Sequence, residues 1–593
     1  MSRRAATLWA PLLVSLALSA AFIARSAFNV RGGTAFSLFD DAMISMRYAR
    51  NLAAGNGLRW NVAGRPVEGY SNLLWTLWMA VPHRLGVADM KTSLFVMVSS
   101  AGLLAANVFL VHDIARRVSR GSSPVTGLAT WLTALSYPLV FWSLRGMEVG
   151  LVATEITAAV LLAFRLADRV TRRDLVLFGA VLAAAVVTRD DALLPLGVIA
   201  AGAVWMAPGP ARRVIGLTAV GVLGGTLVAH EAFRLLYYGD ALPNTYYLKL
   251  GGIPLETRLE RGLESDGHLL VTTLVAPVAF AVLAVVRRRR YASRGVLLVA
   301  AIVGTAVVYS TYAGGDAWED LGFANRYIAS VLPLLFVLTA LGVEVLVREP
   351  PRVRALGAAA VAGLIVLFAL ISRADVLPRS PLGLSGPPSV GELALAVVGA
   401  TVLVCAAVTC SSRGWLGVTL IGFGVVLTAS GAAWRSWGAH DADGIGFDKY
   451  MTRYGLALAS ATSPNASIAV GWAGAIPYFS RRPSIDLLGK NDPTIAHEPT
   501  RPVPFRPGHT KWDDNYSIGR LRPDVIAQVR ITSTPNEFCQ LQDWGYTRLA
   551  PTVYVEGGSP RVTMGRLLQV VDGMGLERWP VPVIGTAPPT CPP

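Results

Sequence analysis

The sequence predicts a polytopic α-helical membrane protein with a polar, mixed α/β or β-rich domain at its C-terminus. Three observations predict it. Of 593 residues, 53% are hydrophobic and only 15% charged, against about 25% charged in a typical soluble domain. Apolar runs near twenty residues recur up to about residue 433, each long enough for a hydrocarbon core about 30 Å thick. The net charge of +15 comes from basic clusters in the short links between those runs, which is where the positive-inside rule puts Lys and Arg. That placement excludes nucleic acid as the reason for the charge.

About thirteen spans are expected, near 8–26, 92–114, 124–142, 149–167, 174–188, 191–207, 214–236, 268–286, 295–312, 328–347, 355–371, 390–410 and 415–433. The run 72–86 is short and aromatic. Laid along the interface, it leaves every basic cluster, from Arg3-Arg4 to "RRRRYASR" and "REPPRVR", on one side, the cytoplasmic one. The first span follows "MSRR" and reads as an uncleaved anchor rather than a signal peptide. The expected topology is multi-pass with the N-terminus inside. It exposes 27–91, 237–252, 312–327 and everything after about Trp434 on the far side. The expected division is 1–435, a membrane domain whose first loop (27–91) carries juxtamembrane helices, and 436–593, an extracytoplasmic domain. Cys405 and Cys410 end an apolar run, whereas Cys539 and Cys591 lie where an extracytoplasmic region would let them form a disulfide.

The chemistry should sit outside. In "FDDAMISMRYARNLAAGNGLRWN" (39–61), Ala42, Met43, Met46, Ala49, Leu52 and Ala53 recur at helical spacing, and Gly55 or Gly57 supplies a stop. An amphipathic surface helix is expected, with Asp40, Asp41, Arg47 and Arg50 toward water. Asp40 and Asp41 are either helix-terminal acids or catalytic carboxylates at the bilayer edge. Arg189 in "VTRDDALLP", Arg326, Lys249 and His230 fall at expected outer membrane ends and are the candidates for a lipid phosphate. For Arg189 the competing reading is a tight turn paired to Asp190 or Asp191. Aromatic faces beside amides and carboxylates suit sugars. This makes Glu68, Tyr70, Asn72, Asn244, Tyr247, Asp316, Trp318, Trp472 and Trp512 acceptor candidates, against an interfacial belt or a domain core. Asp240, Asp316, Glu319 and Asp320 could join the acidic pair around a divalent cation, but no D-x-D spacing occurs, and neither a metal centre nor another cofactor is assigned.

The ensemble resembles the GT-C glycosyltransferases. The strings "FDDAMISMRYARNLAAGNGLRWN", "RPVEGYSN", "YYGDALPNTYYLK", "FANRYIASVLP" and "SIDLLGKND" are similar to the terminal arabinofuranosyltransferase B type. The resemblance implies transfer of D-arabinofuranose from decaprenylphosphoryl-arabinofuranose to the ends of cell-wall arabinan, in arabinogalactan and lipoarabinomannan, making β(1→2) caps. The implied partners are a polyprenyl-phosphate-linked sugar donor, a cell-wall polysaccharide acceptor and membrane lipids. The implied location is a bacterial plasma membrane with the site outside. A β donor and a β product mean net retention, whereas a single base driving in-line attack inverts. Either an Asp is a nucleophile or transfer occurs on one face through an oxocarbenium-like state. The resemblance leans to Asp40 as the essential acid, while Asp41 shares a helix face with Ser45 and Tyr48. A transferase for another polyprenyl-phosphate sugar, such as mannose, predicts the same architecture. A polyprenyl-lipid flippase or transporter is the second alternative. Such proteins commonly show internal repeats and helices interrupted at the midplane, whereas here the polar residues collect at one face and a large external domain is appended.

Overall fold

The computed structural model describes residues 3–30, 32–319, 321, 325–373, 390–409, 415–529 and 535–575. They are mostly helical and form two compact units. One comprises Met1–Arg25, Met97–His230 and Leu255–Asp443; the other comprises Ser26–Val96, Glu231–Pro254 and Gly444–Pro593. The units do not follow chain order. The first loop and the segment 231–254 cluster with the C-terminal region, not with the helices that flank them in sequence.

Eight helices among the described residues are long and apolar enough to cross a membrane: Thr7–Ser26, Asp89–Val118, Val149–Asp168, Gly209–Tyr237, Leu255–Val286, Ser293–Ala313, Pro351–Ile371 and Leu416–His440. A ninth is the pair Ser123–Ala134 and Tyr137–Leu144, bent by 43° where Pro138 enters the first turn of the second helix and cannot donate. The expected count of thirteen is therefore not met by full-length spans. Each expected run does contain a helix, but Arg172–Thr188, Leu193–Met206 and Leu332–Arg348 have only 17, 14 and 17 residues. At 1.5 Å per residue these fall short of the hydrocarbon core.

Within the membrane unit, Leu332–Val347 is buried on every side, as an all-round apolar helix must be. Gly342 makes this possible, because a β-carbon there would stand 1.8 Å from the Phe280 carbonyl oxygen. Two helix backbones meet at that point, which is what small residues permit in membrane packing.

The second unit opens with a hairpin, β1 (Phe28–Val30) against β2 (Gly33–Ala35), with Asn29 opposite Thr34. The helix Asp40–Ala53 follows. It stops at Ala54, and Gly55 and Gly57 both take positive φ, as a C-terminal stop requires. The helix Leu73–Arg84 is too short to span. The C-terminal region supplies β3 (Ile468–Val470), β4 (Ser484–Asp486), β5 (Val525–Ile526), β6 (Tyr546–Ala550) and β7 (Val553–Glu556). They form one mixed sheet in the order β4-β3-β5-β7-β6. β3 lies parallel to β4 and β5, while β7 runs antiparallel to β5 and β6. β3 and β7 lie in the alternating stretches "ASIAVGW" (466–472) and "PTVYVEG" (551–557). The parallel step from β3 to β4 needs a crossover, and the helix Ala475–Ser480 lies in it. Ala469, Leu487, Ile526 and Tyr554 belong to one buried apolar cluster that the sheet helps form. Cys591 lies outside the described residues, so its expected pairing with Cys539 has only one end in view.

Candidate active site

The acidic-pair helix is mostly buried, and its charged residues do not form a water-facing side. Ten of its fourteen residues are buried, among them Asp40 and Arg47, which corrects the expectation of an amphipathic surface helix. Arg47 stays inside because its donors are used: Nε reaches the Trp60 carbonyl at 2.6 Å, and the remaining nitrogens reach Asn61, Ser484 and the Arg482 carbonyl. Its guanidinium also covers the Trp60 ring at 4.6 Å. Arg50 donates to the Tyr478 carbonyl and to Asp89. A hydrogen-bonded, stacked guanidinium is one of the few cations a domain interior tolerates.

The two acids part company. Asp40 is 1% exposed and accepts from the backbone N–H of Gly474 at 3.0 Å and of Ala475 at 2.8 Å. It caps another helix, Ala475–Ser480, rather than its own, whose N-cap is Phe39. Burial pushes the Asp40 carboxyl up to about 6, against the two backbone bonds and the nearby charge of Lys490, which lower it. Gly474 is obligatory, since a β-carbon there would lie 1.9 Å from the Asp40 carbonyl oxygen. Asp41 instead ion-pairs with the Lys490 ammonium, and both side chains keep an exposed edge.

Lys490 belongs to "SIDLLGKND", and the turn that presents it is heavily bonded. Asp486, buried at the end of β4, accepts from the N–H groups of Leu488, Gly489 and Asn491 and from the Asn491 side chain, at 2.8–3.1 Å. Burial raises the Asp486 carboxyl even so. Gly489 has φ +76°, a left-handed turn that glycine adopts without steric penalty. Tyr48, two helical turns past Asp41, donates to the Val67 carbonyl at 2.7 Å and lies 3.1 Å from Asn491. Asn244 donates to the Gly489 and Lys490 carbonyls at 2.8 and 2.9 Å. The helix Asn244–Lys249 is then held from the far side: Lys511 donates to the Tyr247 carbonyl, and Gly508 lies over Lys249, where a β-carbon would sit 3.5 Å from its Cγ. His509 stays well below the usual imidazole range through burial, then through Arg506 and Lys490. Asp41 is thus the half-open carboxylate in a neighbourhood that also holds Lys490, Arg506 and Lys249, with Asp40 and Asp486 closed over backbone N–H groups.

The other phosphate candidates are in the membrane unit. Arg189 and Arg326 line one small cleft, whose walls include Glu148, Asp191, Tyr309 and Tyr327 beside Val152, Ile156, Pro195 and Val331. Arg189 bonds Asp191 at 2.7 and 2.8 Å and also Glu148. Arg326 grips Asp316 through two 2.7 Å bonds. Two guanidinium groups therefore meet three carboxylates. His230 lies 3.4 Å from Asp190.

Most acceptor candidates are bonded within the fold. Glu68 pairs with Arg234 at 2.6 Å, Tyr70 bonds the Tyr238 hydroxyl at 2.8 Å, and Asn72 accepts from Ser45 and Thr76. Asn244, Asp316, Trp318 and Trp512 are buried. Tyr247, tilted against the His497 ring, and Trp472, against Phe447, stay partly exposed. Of the possible cation ligands, Asp240 pairs with Arg65 and Glu319 with Arg261, and Asp320 lies outside the described residues. Among the described residues, no group of three or more His, Cys, Asp or Glu is placed to hold a metal ion. Sequence reasoning missed Lys490, Arg506 and His509. Lys490 stood inside a quoted string; its partner stands 449 residues earlier.

The family described as "Domain of unknown function (DUF8728)" matches residues 444–564. No curated protein matches the chain. Among solved structures, the chain is similar to ArnT from Cupriavidus metallidurans bound to undecaprenyl phosphate, with 14% identity over 81% of this chain and 85% of that one and a TM-score of 0.47. It is also similar to the Archaeoglobus fulgidus oligosaccharyltransferase in its apo form, with 12% identity over 80% of this chain and 64% of that one and a TM-score of 0.41. The same organism's AglB, in complex with an inhibitory peptide and a dolichol-phosphate, matches with 12% identity over 81% and 63% and a TM-score of 0.39.

Proposed function

We propose that this chain is a membrane glycosyltransferase of the GT-C kind. In this reading it moves D-arabinofuranose from a polyprenyl phosphate to the ends of a cell-wall arabinan, forming β(1→2) linkages on the outer side of a bacterial plasma membrane. The observation that carries the reading is the half-open pair of Asp41 and Lys490, set among further cations near the start of the chain's first loop. Transfer from a lipid phosphate needs a negative group facing a developing oxocarbenium ion and positive groups facing the leaving phosphate. Asp41 has the charge and the access for the first task. Asp40, closed over backbone N–H groups, holds the helix that carries Asp41 against the C-terminal segment.

Lys249 is the earlier phosphate candidate retained for this site. Arg189 and Arg326 already face carboxylates, and we assign them to shaping their cleft. Tyr247 and Trp472 are the aromatics with surface left for an acceptor sugar. The test is parallel assay of the purified protein with synthetic polyprenyl phosphates of arabinofuranose, mannose and other sugars, each with an arabinan oligosaccharide. Turnover of the arabinofuranose donor alone supports the full reading. Turnover of the mannose donor instead replaces the sugar and keeps the class, and turnover of none overturns it. Location is checked separately. Cysteine introduced near Gly508 should label only from outside, and cysteine near Arg288 only from the cytoplasm.

A further inference from the structure

Lys490 sits on a heavily bonded turn, and most of the bonds fix the turn's backbone. Asp486 takes four hydrogen bonds from the residues around it, and Asn244 takes the Gly489 and Lys490 carbonyls. The ammonium then projects to Asp41 in a contact that leaves both groups partly open. A partly buried ion pair contributes little stability by itself, because desolvation offsets its attraction. A backbone this constrained for so weak a pair is better explained by presentation of the lysine to a ligand. The sign of the neighbourhood says which kind. Arg506 and Lys490 both act on His509, as does Asp41, and Lys249 packs under Gly508, two residues from Arg506. Asp40 and Asp486 also face Lys490, but each is closed over backbone N–H groups. The partly open groups are Lys490 and Asp41, and an ammonium beside further cations suits a phosphate.

We propose that Lys490 is a ligand of the donor's phosphate and that it changes partner during the reaction, moving from Asp41 to the phosphate. This rests on the transferase reading above and goes beyond it by naming the group that receives the leaving charge. The bond between the anomeric carbon and the phosphate oxygen breaks, and its electron pair stays on that oxygen. An N–H of Lys490 bonds the oxygen and neutralises the charge. The acceptor hydroxyl oxygen forms the new bond to the anomeric carbon on the face the phosphate leaves, as net retention requires and as the adjacency of Asp41 and Lys490 allows. Its proton passes to the Asp41 carboxylate that Lys490 has released. One ammonium thus keeps Asp41 quiet without donor and frees it when donor is bound.

The experiment measures binding of farnesyl phosphate, farnesol and inorganic phosphate to the full-length protein in detergent, by tryptophan fluorescence, so that no turnover is needed. Lys490→Met should weaken farnesyl phosphate at least about tenfold, the loss expected for one charge-assisted hydrogen bond, while farnesol binding stays at the wild-type level. Lys490→Arg should restore farnesyl phosphate to within about threefold. A preference for inorganic phosphate over farnesyl phosphate would make the site one for the free ion and overturn the donor assignment. Wild-type farnesyl phosphate binding by Lys490→Met would overturn it too, as would an equal loss of farnesol. Should Lys490→Met prove misfolded by its melting temperature, Lys490→Gln against Lys490→Arg gives the same comparison. A wild type that binds through Lys490 yet turns over no sugar donor removes the transferase reading and leaves the phosphate site standing.

Discussion

Arg326 with Asp316 in the membrane unit, and Lys490 with Asp41 in the second unit, are both ion pairs, and they are built differently. The first is shut. Its side chains are 8% and 1% exposed, and two parallel 2.7 Å bonds satisfy the guanidinium edge and both carboxylate oxygens. The second is ajar, at 11% and 17%, and joins an ammonium with three donors to a single carboxylate oxygen. A planar fork on a carboxylate engages both of its oxygens, whereas this ammonium meets one oxygen in a pair that keeps solvent-exposed surface. The contrast separates charges that hold a fold from charges that can meet a substrate.

Breaking the shut pair should produce the largest effect on stability. Removing one member leaves the other as an uncompensated buried charge, at a cost of about 3–5 kcal/mol. Arg326→Ala and Asp316→Asn should therefore lower the melting temperature sharply in detergent, whereas Asp41→Asn should barely move it. Equal melting shifts at the two pairs would erase the distinction.

Gly474 gives the next effect. A β-carbon 1.9 Å from a backbone oxygen cannot be relieved by rotating a side chain. Gly474→Ala should destabilise by about 1–3 kcal/mol, as overpacking does, and unfolding in denaturant measures it. Asp40→Asn should cost about 1 kcal/mol, because the amide keeps one acceptor for two backbone donors. This substitution also carries a pH signature. The Asp40 carboxyl is raised from 3.8 to about 6 in the fold, so the native state binds its proton more tightly than the unfolded chain. Its contribution to stability is full below pH 3.8 and is lost as pH rises through about 6. Wild type should gain stability relative to Asp40→Asn when melted at pH 4.5 instead of pH 7, and a constant difference between the two would contradict the assignment. The smallest effects belong to the aromatics. Tyr247→Ala and Trp472→Ala should raise the acceptor KM about two- to tenfold with kcat unchanged, since stacking on a sugar is a modest interaction.

Much of the architecture was legible in the sequence. Apolar runs located a helix in every expected place, because membrane helices announce themselves by length and composition. Their adequacy as spans was not legible, since Arg189 ends one helix and begins the turn to the next at a depth only the packing decides. The acidic pair was visible, and so was the stop at Gly55 and Gly57. Which acid would be closed was not, because the donors to Asp40 come from Gly474 and Ala475, more than 430 residues away. Arg47 misled for a related reason. A guanidinium at helical spacing reads as a solvated face until Trp60, Asn61 and Ser484 are known to surround it. The aromatic strings carried sugar-like composition, yet Tyr70, Trp318 and Trp512 turned inward, and composition does not separate a platform from a core.

The comparison comes to one measurement, the turnover of a synthetic polyprenyl-phosphate sugar by Asp41→Asn beside Asp40→Asn, each folded in detergent. A reacting carboxylate needs its charge, whereas a cap needs only an acceptor. Asp41→Asn should lose at least about a hundredfold in kcat, with Asp40→Asn within about tenfold of wild type. Wild-type turnover by Asp41→Asn, or a loss confined to Asp40→Asn, would show that the open pair is not where the chemistry happens.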